Sequence, residues 1–395
     1  MSPFSRRSFL GVLPLGFLGW KWGHAHSLSI PQDKNNEQAK EIKIKKYNPL
    51  GNTGLKVSDV SFGAISLFDS NVIRYAYDLG VNYFDTAESY LRMQSEKFVG
   101  EALGDVRSKV IITTKHSFPP QFKDQFKKER IIQRVENSLS RLQTDYIDIA
   151  MIHNISDLSL LENQELQAAY SQLKEQGKIR FTGFSTHNPK LTLKQALTSD
   201  FPQVILVIYN HLEGPEIEDL IAQVRKKGIG VVAMKVFAGG KQGNLKALVN
   251  ARQSYPQAAI RWVLKNPNVD CCIVTMSSYS HVEEYVAVSG QALRPEDLKI
   301  ISAYQKAASR EYCRVSCSAC LSACPSGVAI NDVLRMAMYF EDYRLESEAI
   351  RYYAQLDDSQ KPISCATCPG YCQQACPYQL AVKDKLLKAH SLLQA

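Results

Sequence analysis

Residues 146–184 read YIDIAMIHNISDLSLLENQELQAAYSQLKEQGKIRFTGF. The apolar run Tyr146–Ile152 is followed by Leu161–Glu175, where apolar residues recur at spacings of three and four, and then by a second apolar run, Ile179–Phe184. A strand, an amphipathic helix and another strand in succession are the unit of a parallel sheet. Working outward, the same alternation runs from Tyr47 to about Gly290. It predicts strands at Val57–Phe62, Asn82–Phe84, Lys109–Thr114, Val204–Tyr209, Gly230–Met234 and Cys271–Val274, making eight with the two above. Helices are predicted at Glu96–Leu103, Arg130–Leu142, Lys190–Thr198, Ile217–Lys227 and Tyr255–Leu264. Eight strands suit a closed (β/α)8 TIM barrel. An open doubly wound sheet is the competitor, but no Gly-x-Gly-x-x-Gly follows an early strand. Ahead of the first strand, Leu50-Gly51-Asn52-Thr53-Gly54-Leu55 places turn residues between apolar flanks, as in a hairpin capping one barrel end.

The chain has 395 residues, room for one large domain plus appendages. Hydrophobic and charged contents of 45% and 22% exclude disorder and wholesale membrane burial. The net charge of +8 is scattered and no basic run points to nucleic acid. Residues 1–27 hold Arg6, Arg7 and Lys21 and no acid, so a processed chain is less basic. This segment reads as a removable address: Ser5-Arg6-Arg7-Ser8-Phe9-Leu10, an apolar stretch from Phe9 to Trp20, then small residues near Ala25 and Ser27. The apolar stretch holds Pro14 and is short of the ~20 residues a spanning helix needs. Paired arginines before Phe-Leu resemble a twin-arginine export signal, the bacterial route for proteins that fold and take up cofactors first; a chance Arg-Arg in a basic leader is the alternative. Export to the periplasm through the twin-arginine translocation machinery is the expectation, with residues 28–46 as a polar linker.

A barrel of this type carries its active site at the C-terminal ends of its strands. Asp85 and Tyr90 follow the second strand in Asp85-Thr86-Ala87-Glu88-Ser89-Tyr90, Lys115 ends the third, and His153 ends the fourth. Singly, each has an ordinary structural reading: a strand-end lysine is usually solvated, and a histidine there is usually a hydrogen-bonded core residue. Together they suit carbonyl reduction, because hydride arriving at a carbonyl carbon leaves charge on oxygen that needs a proton donor and hydrogen bonds. A tyrosine with a pKa of about 10 becomes a better acid beside an ammonium. Lys115 supplies the ammonium, Asp85 keeps it charged, and His153 orients the oxygen.

Here the sequence resembles the aldo-keto reductase family over roughly Tyr47 to Gly290. The opening Leu50-Gly51-x-Thr53-Gly54-Leu55-x-Val57-Ser58, then Asp85-Thr86-Ala87-x-x-Tyr90, Lys115, His153 and Gly183-Phe184-Ser185-Thr186-His187-Asn188 fall in family order. The resemblance implies Tyr90 as general acid, Lys115 as its modulator, Asp85 as the partner of Lys115 and His153 as the orienting group. It further implies NADP(H), with Ser185 touching the nicotinamide carboxamide, and a small-molecule carbonyl or alcohol as substrate. There are departures. Leu206 stands where the family has a carboxamide-binding glutamine, and Met234 where it stacks a tyrosine on the nicotinamide. The segment Thr275–His281, with Ser277, lacks the lysine and arginine that hold a 2′-phosphate, while Glu284 stands where an adenine-contacting acid is expected. Cys271 and Cys272, inside an apolar strand, read as core residues.

The remaining eight of the ten cysteines crowd the end of the chain. Cys313-x3-Cys317-x2-Cys320-x3-Cys324-Pro325 is followed by Cys365-x2-Cys368-x3-Cys372-x3-Cys376-Pro377. An apolar-Ala-apolar-x-Asp pattern recurs at the same offset after each quartet, which indicates an internal duplication. Four thiolates on a tight turn with proline after the last suit a cubane cluster. Two quartets resemble the bacterial ferredoxin arrangement, where the fourth cysteine of each run ligates the other cluster. Two 4Fe-4S clusters are the reading adopted; zinc, which favours separated C-x2-C units, and disulfides are the alternatives. Val328 to Leu356, rich in Leu, Ala, Met, Arg and Glu, is predicted to be helical and to join the two halves.

The sequence thus predicts an α/β protein: signal 1–27, linker 28–46, barrel 47–293, and a small α-helical iron-sulfur domain over 294–395 with a redox partner. The function expected is interconversion of a carbonyl and an alcohol with electrons from NADP(H), the clusters or both. The alternative is a non-catalytic or nicotinamide-independent electron-transfer or binding protein that keeps the barrel residues.

Overall fold

The computed structural model describes residues 42–67, 69–118, 126–238, 254–308, 312–314, 317–343 and 345–394. The segment 1–27, read from sequence as an export signal, and the expected linker as far as residue 41 lie outside the described residues. A two-stranded antiparallel hairpin, β1 (Tyr47–Pro49) and β2 (Lys56–Ser58), precedes eight parallel strands that close into a barrel. These are β3 (Val60–Gly63), β4 (Tyr83–Asp85), β5 (Ile111–His116), β6 (Ile147–Ile152), β7 (Ile179–Thr186), β8 (Val204–Ile208), β9 (Gly230–Met234) and β10 (Cys271–Thr275), with β10 closing on β3. The run Val57–Phe62, read as one strand, is two. The chain breaks at Asp59, whose carboxylate accepts from Val60 N, Ser289 Oγ and Gly290 N and so takes the backbone out of one sheet and into the next.

Period-two alternation assigns each strand residue a face. Tyr83, Ile149, Met151, Leu206, Val232 and Cys271 fill the interior, where Leu50, Leu55 and Val57 of the hairpin region join them as a plug. Phe84, Ala150, Ile152, Val207, Ala233 and Cys272 face outward onto the helices. These are α1 (Ser70–Asp78), α2 (Gln94–Leu103), α3 (Lys128–Leu142), α4 (Gln164–Glu175), α5 (Pro189–Ala196), α6 (Pro215–Lys226), α7 (Tyr255–Leu264) and α8 (Tyr279–Val286). Two glycines are required by close approach. A Cβ on Gly183 would stand 2.1 Å from the Val204 carbonyl oxygen across the β7–β8 ladder, and one on Gly51 would stand 2.3 Å from Gly230 N where the hairpin turn seals the barrel floor.

Beyond residue 293 the chain first makes α9 (Pro295–Ala308), whose Ile300, Ile301 and Tyr304 belong to the barrel's outer core. It is fixed by Asp297, fully buried, which accepts from Arg261 Nε at 2.8 Å and Arg261 Nη2 at 2.7 Å. A second core then forms among α10 (Ile330–Tyr343), α11 (Glu346–Ala354) and α13 (Val382–Leu393), with the one-turn α12 (Tyr371–Gln374) beside them. The helical reading of Val328–Leu356 is therefore two helices joined near Leu345. This core includes one barrel residue, Leu91, and packs against Ile65 and Phe98, so the C-terminal segment sits on the loop that follows β4. Among the described residues, no helix is long and apolar enough to cross a membrane.

Candidate active site

Parallel register places Asp85 opposite Thr113 and Lys115 opposite Met151, so the ends of β4, β5 and β6 meet on one side of the barrel mouth. Lys115 and Asp85 are each 1% exposed, and Lys115 Nζ donates to Asp85 Oδ1 at 2.6 Å and to the Thr86 carbonyl. Tyr90 opens a 3-10 turn, Tyr90–Met93, and lies edge-on to His153, with ring centroids 5.6 Å apart at 78°. The ammonium of Lys115 lies 4.9 Å from the centre of the Tyr90 ring. All four residues singled out from the sequence are thus brought together. Asp85 Oδ2 and His153 Nδ1 are buried and, among the described residues, lack a hydrogen-bond partner. A polar reactant at this point would satisfy such atoms.

The electrostatics differ from expectation in one respect. Burial raises the Asp85 carboxyl and lowers the Lys115 ammonium, each opposed by the other's charge. Tyr90, expected to be acidified by Lys115, is instead held well above its ordinary value by burial and then by the charges of Asp85, Tyr352 and Tyr339. The reason is geometric: the lysine's hydrogen bonds go to Asp85 and the Thr86 carbonyl. His153 is driven well below its ordinary value by burial and by the cations Lys115, His116, Lys235 and Arg351, so it is neutral at physiological pH.

Ser185 is the last residue but one of β7, beside Leu206; its buried Oγ accepts from Asn154 N at 2.8 Å and keeps its own proton to donate. Leu206 points into the barrel with Ile208 one layer above it, so β8 offers aliphatic surface and no amide at this height. Met234 closes β9, 9% exposed. A flat ring with one amide fits a hydroxyl donor and a thioether face of this kind. Ser277 and Glu284 lie on the rim after β10. Ser277 Oγ is 3.1 Å from His281 Nδ1, and Glu284 accepts from Ser254 Oγ.

Sequence reasoning missed the C-terminal residues over this mouth. Arg351 Nη2 donates to the Ser89 carbonyl at 3.0 Å, the Tyr352 hydroxyl is 3.2 Å from Ser89 Oγ, and Lys235 Nζ donates to the Tyr339 hydroxyl at 2.8 Å. The signal available was the tyrosine content of 339–353, which a reading for helix period passes over.

None of the ten cysteines is in a disulfide, and Cys271 and Cys272 are fully buried in β10. Two groups show among the other eight in the charges that Cys313 and Cys365 feel. Burial and then Cys320, Cys317 and Cys376 raise the Cys313 thiol to about 12. Burial and then Cys324, Cys372 and Cys368 raise Cys365 to about 11. The last cysteine of each quartet thus acts on the first of the other, and Cys320 also feels Cys372, so the two groups adjoin. Among the described residues, no three His, Cys, Asp or Glu side chains could hold a single metal ion. A tetrahedral zinc site brings sulfurs to about 3.8 Å of one another around 2.3 Å bonds. In a cubane each thiolate binds a different iron and the sulfurs stand farther apart.

The model of the aldo/keto reductase family matches residues 66–248. L-galactose dehydrogenase of Arabidopsis thaliana is 34% identical over 276 residues, which are 60% of this chain and 86% of that protein. The chain belongs to the aldo/keto reductase family. It is an oxidoreductase of that type, and the closed eight-stranded barrel is the family's fold. Aldo-keto reductase YhdN of Bacillus subtilis is 26% identical over 65% of this chain and 92% of its own length. Among solved structures, the holo form of aldo-keto reductase AKR11C1 from Bacillus halodurans is 27% identical with a TM-score of 0.55, covering 66% of this chain and 96% of that one. An aldo-keto reductase from Klebsiella pneumoniae in complex with NADPH is 25% identical with the same TM-score, covering 66% and 95%. About a third of this aldo/keto reductase lies outside each of those structural matches.

Proposed function

We propose that this chain is an exported aldo-keto reductase that interconverts a small-molecule carbonyl and an alcohol, uses NADP(H), and carries two 4Fe-4S clusters that exchange electrons with a redox partner. The observation that carries the catalytic part is the buried Lys115–Asp85 pair at 2.6 Å beneath Tyr90 and His153. A substrate oxygen between the Tyr90 hydroxyl and the His153 imidazole meets a neutral phenol and a neutral imidazole. Tyr90 keeps its proton at neutral pH and gives it up as charge develops on that oxygen, which suits reduction more than oxidation. Lys115, fixed by Asp85, supplies the positive potential under the ring. When bound, the nicotinamide supplies the hydride; Ser185 would hold its carboxamide and Met234 would pack on its ring.

Cys313, Cys317, Cys320 and Cys376 would hold one cluster and Cys365, Cys368, Cys372 and Cys324 the other, as the two thiol groups support; when bound, the clusters supply one-electron transfer. Assembly of such clusters before translocation agrees with a twin-arginine signal at Arg6-Arg7. A second reading, electrons from the clusters alone, is favoured by Leu206. Quenching of protein fluorescence by NADPH, reversed by NADP, separates the two.

The catalytic reading is tested by Tyr90→Phe. Reduction of aldehydes should fall by about 100-fold or more, with iron content and visible absorption unchanged. Turnover at the wild-type rate would sink the assignment.

A further inference from the structure

Among the described tyrosines whose ionisation is perturbed, Tyr339 stands apart. Burial raises Tyr83, Tyr90, Tyr170, Tyr255, Tyr343 and Tyr352. Tyr339 is 6% exposed, yet it lies below its ordinary value: burial is outweighed by the charges of Lys235 and Arg335 and by the hydrogen bond from Lys235, with Asp332 opposing. The geometry is built for this. Lys235 Nζ reaches the Tyr339 hydroxyl at 2.8 Å and lies 4.5 Å from the ring centre. The Tyr343 ring packs beside it, its centroid 5.7 Å from that of Tyr339 and 5.6 Å from the same ammonium. Lys235 has no carboxylate partner among the described residues, and its ammonium donates to the phenol oxygen instead.

The pair belongs to the barrel mouth. Lys235 is the residue immediately after β9 and adopts φ +58°, which a non-glycine residue holds only when its surroundings impose it. Its carbonyl is pinned by Asn210 Nδ2 at 3.1 Å and Ala238 N at 2.9 Å. Its charge is felt by His153 and His187, and the charge of Tyr339 is felt by Tyr90. The family's barrel supplies only half of this arrangement; the other half arrives on α10 of the C-terminal segment.

We propose that Tyr339, held on Lys235, is a proton-relay residue of this active site, recharging Tyr90 during carbonyl reduction and setting the pH dependence of turnover. This rests on the carbonyl-reductase reading above. Reduction places a hydride from a reduced nicotinamide on the carbonyl carbon, and the C=O π pair becomes the alkoxide. The Tyr90 O–H proton passes to that oxygen, and the Tyr339 O–H proton passes to the Tyr90 phenolate through water. The negative charge then rests on Tyr339 against the Lys235 ammonium until solvent returns the proton. Lys235 stays protonated throughout. Tyr90, too weak an acid to equilibrate with water quickly by itself, is thereby coupled to a phenol that is a stronger acid than usual.

The experiment uses the full chain purified anaerobically, with Tyr339→Phe and Lys235→Met beside wild type. Ultraviolet difference absorption should find one tyrosine ionising ahead of the rest in wild type, missing in Tyr339→Phe and moved to higher pH in Lys235→Met. With NADPH and a panel of aldehydes, ketones and aldoses, wild-type kcat should fall as pH rises through that ionisation. Tyr339→Phe should lose that limb and about 100-fold in kcat, with KM and the visible absorption unchanged, whereas Lys235→Met should shift the limb upward. A phenolate titration identical in wild type and Tyr339→Phe overturns the pairing, and a kcat limb that survives in Tyr339→Phe overturns the relay. Absence of turnover in wild type sinks the reductase reading and the relay with it, an outcome distinct from either.

Discussion

Removing the Lys115 ammonium should cost more stability than removing the Asp85 charge, and removing both should cost less than the sum. At 2.6 Å the pair's gross attraction is ~6 kcal/mol for an effective dielectric of about 20, most of it offset by taking both charges out of water. What a single substitution exposes is the unpaired survivor, typically about 3–5 kcal/mol. Lys115→Met strands a carboxylate whose Oδ2 already has no partner and whose Oδ1 loses its only strong donor, so the upper end applies. Asp85→Asn leaves the ammonium with the Thr86 carbonyl and an amide oxygen, so the lower end applies. The double variant retains about 1–3 kcal/mol for a poorly satisfied amide. Urea unfolding followed by circular dichroism measures the cycle, and a barrel of this size should lose roughly 2–4 °C of Tm per kcal/mol. The pH dependence carries a sign. In Lys115→Met the folded-state pKa of Asp85 rises further above its unfolded value, so the native state binds the extra proton between the two and stability falls as pH rises through that window. The deficit should therefore be larger at pH 7 than at pH 4. Strictly additive variants, or a deficit the same at both pH values, would refute the claim that a buried charge pair holds this corner of the site.

Two further outcomes are expected. On the proposed ligand sets, Cys324→Ser should remove the cluster shared with Cys365, Cys368 and Cys372 and leave the one assigned to Cys313, Cys317, Cys320 and Cys376. Iron and sulfide analysis should give about half the wild-type content, whereas loss of the cluster nearest Cys324 in sequence would mean the quartets do not exchange ligands. His211 is buried, its Nε2 2.9 Å from the Tyr255 hydroxyl, and burial with the charge of Arg314 lowers it to about 4. The unfolded chain binds a proton there first, so stability should fall as pH drops from about 6.5 toward about 4, by ~3 kcal/mol for this residue. His211→Gln should flatten the acid limb of the unfolding curve, and an unchanged limb would place the acid sensitivity elsewhere.

The barrel was legible because its strands are buried on both faces and its helices on one, which leaves runs such as Ile147–Ile152 between amphipathic stretches. The helix Tyr255–Leu264 is observed with the bounds its periodicity predicts. Where a polar residue bends the chain the reading failed: Asp59 splits one expected strand into two because its carboxylate gathers its neighbour Val60 N and two donors from distant sequence, Ser289 Oγ and Gly290 N. At the site, Asp85, Tyr90, Lys115 and His153 could be picked out because barrel topology fixes where strand ends go. Lys235, Tyr339, Arg351 and Tyr352 could not, since their roles depend on how a second core docks, and no periodicity in 328–356 encodes which helix face meets the mouth. The misjudged acidity of Tyr90 has the same origin. Spacing brings Lys115 near Tyr90 but does not say that its hydrogen bonds are already taken by Asp85 and the Thr86 carbonyl.

The contact between the two cores explains an otherwise costly feature of the chain just after Tyr90. Leu91, Arg92 and Met93 all have positive φ, at 50°, 52° and 69°. Such conformations cost about 1–3 kcal/mol each in non-glycine residues and persist only where the surroundings over-determine them. Here Leu91 is buried in the C-terminal core, Arg92 bonds to Ser347, and Arg351 and Tyr352 hold Ser89. Full burial of a leucine contributes about 1.5–3 kcal/mol, and each charged hydrogen bond about 1.5–3 kcal/mol, enough to offset the strained turn but not to exceed it by much. The conformation of the segment bearing Tyr90 is therefore set jointly by the end of β4 and by α11. Any change that loosens α11, including loss of whatever organises the neighbouring thiols, acts on the Tyr90 loop without touching the barrel. In this family member the C-terminal segment is thus one wall of the candidate site, and the weakened acidity of Tyr90, due to burial, then Asp85, then Tyr352 and Tyr339, is partly a property of that wall.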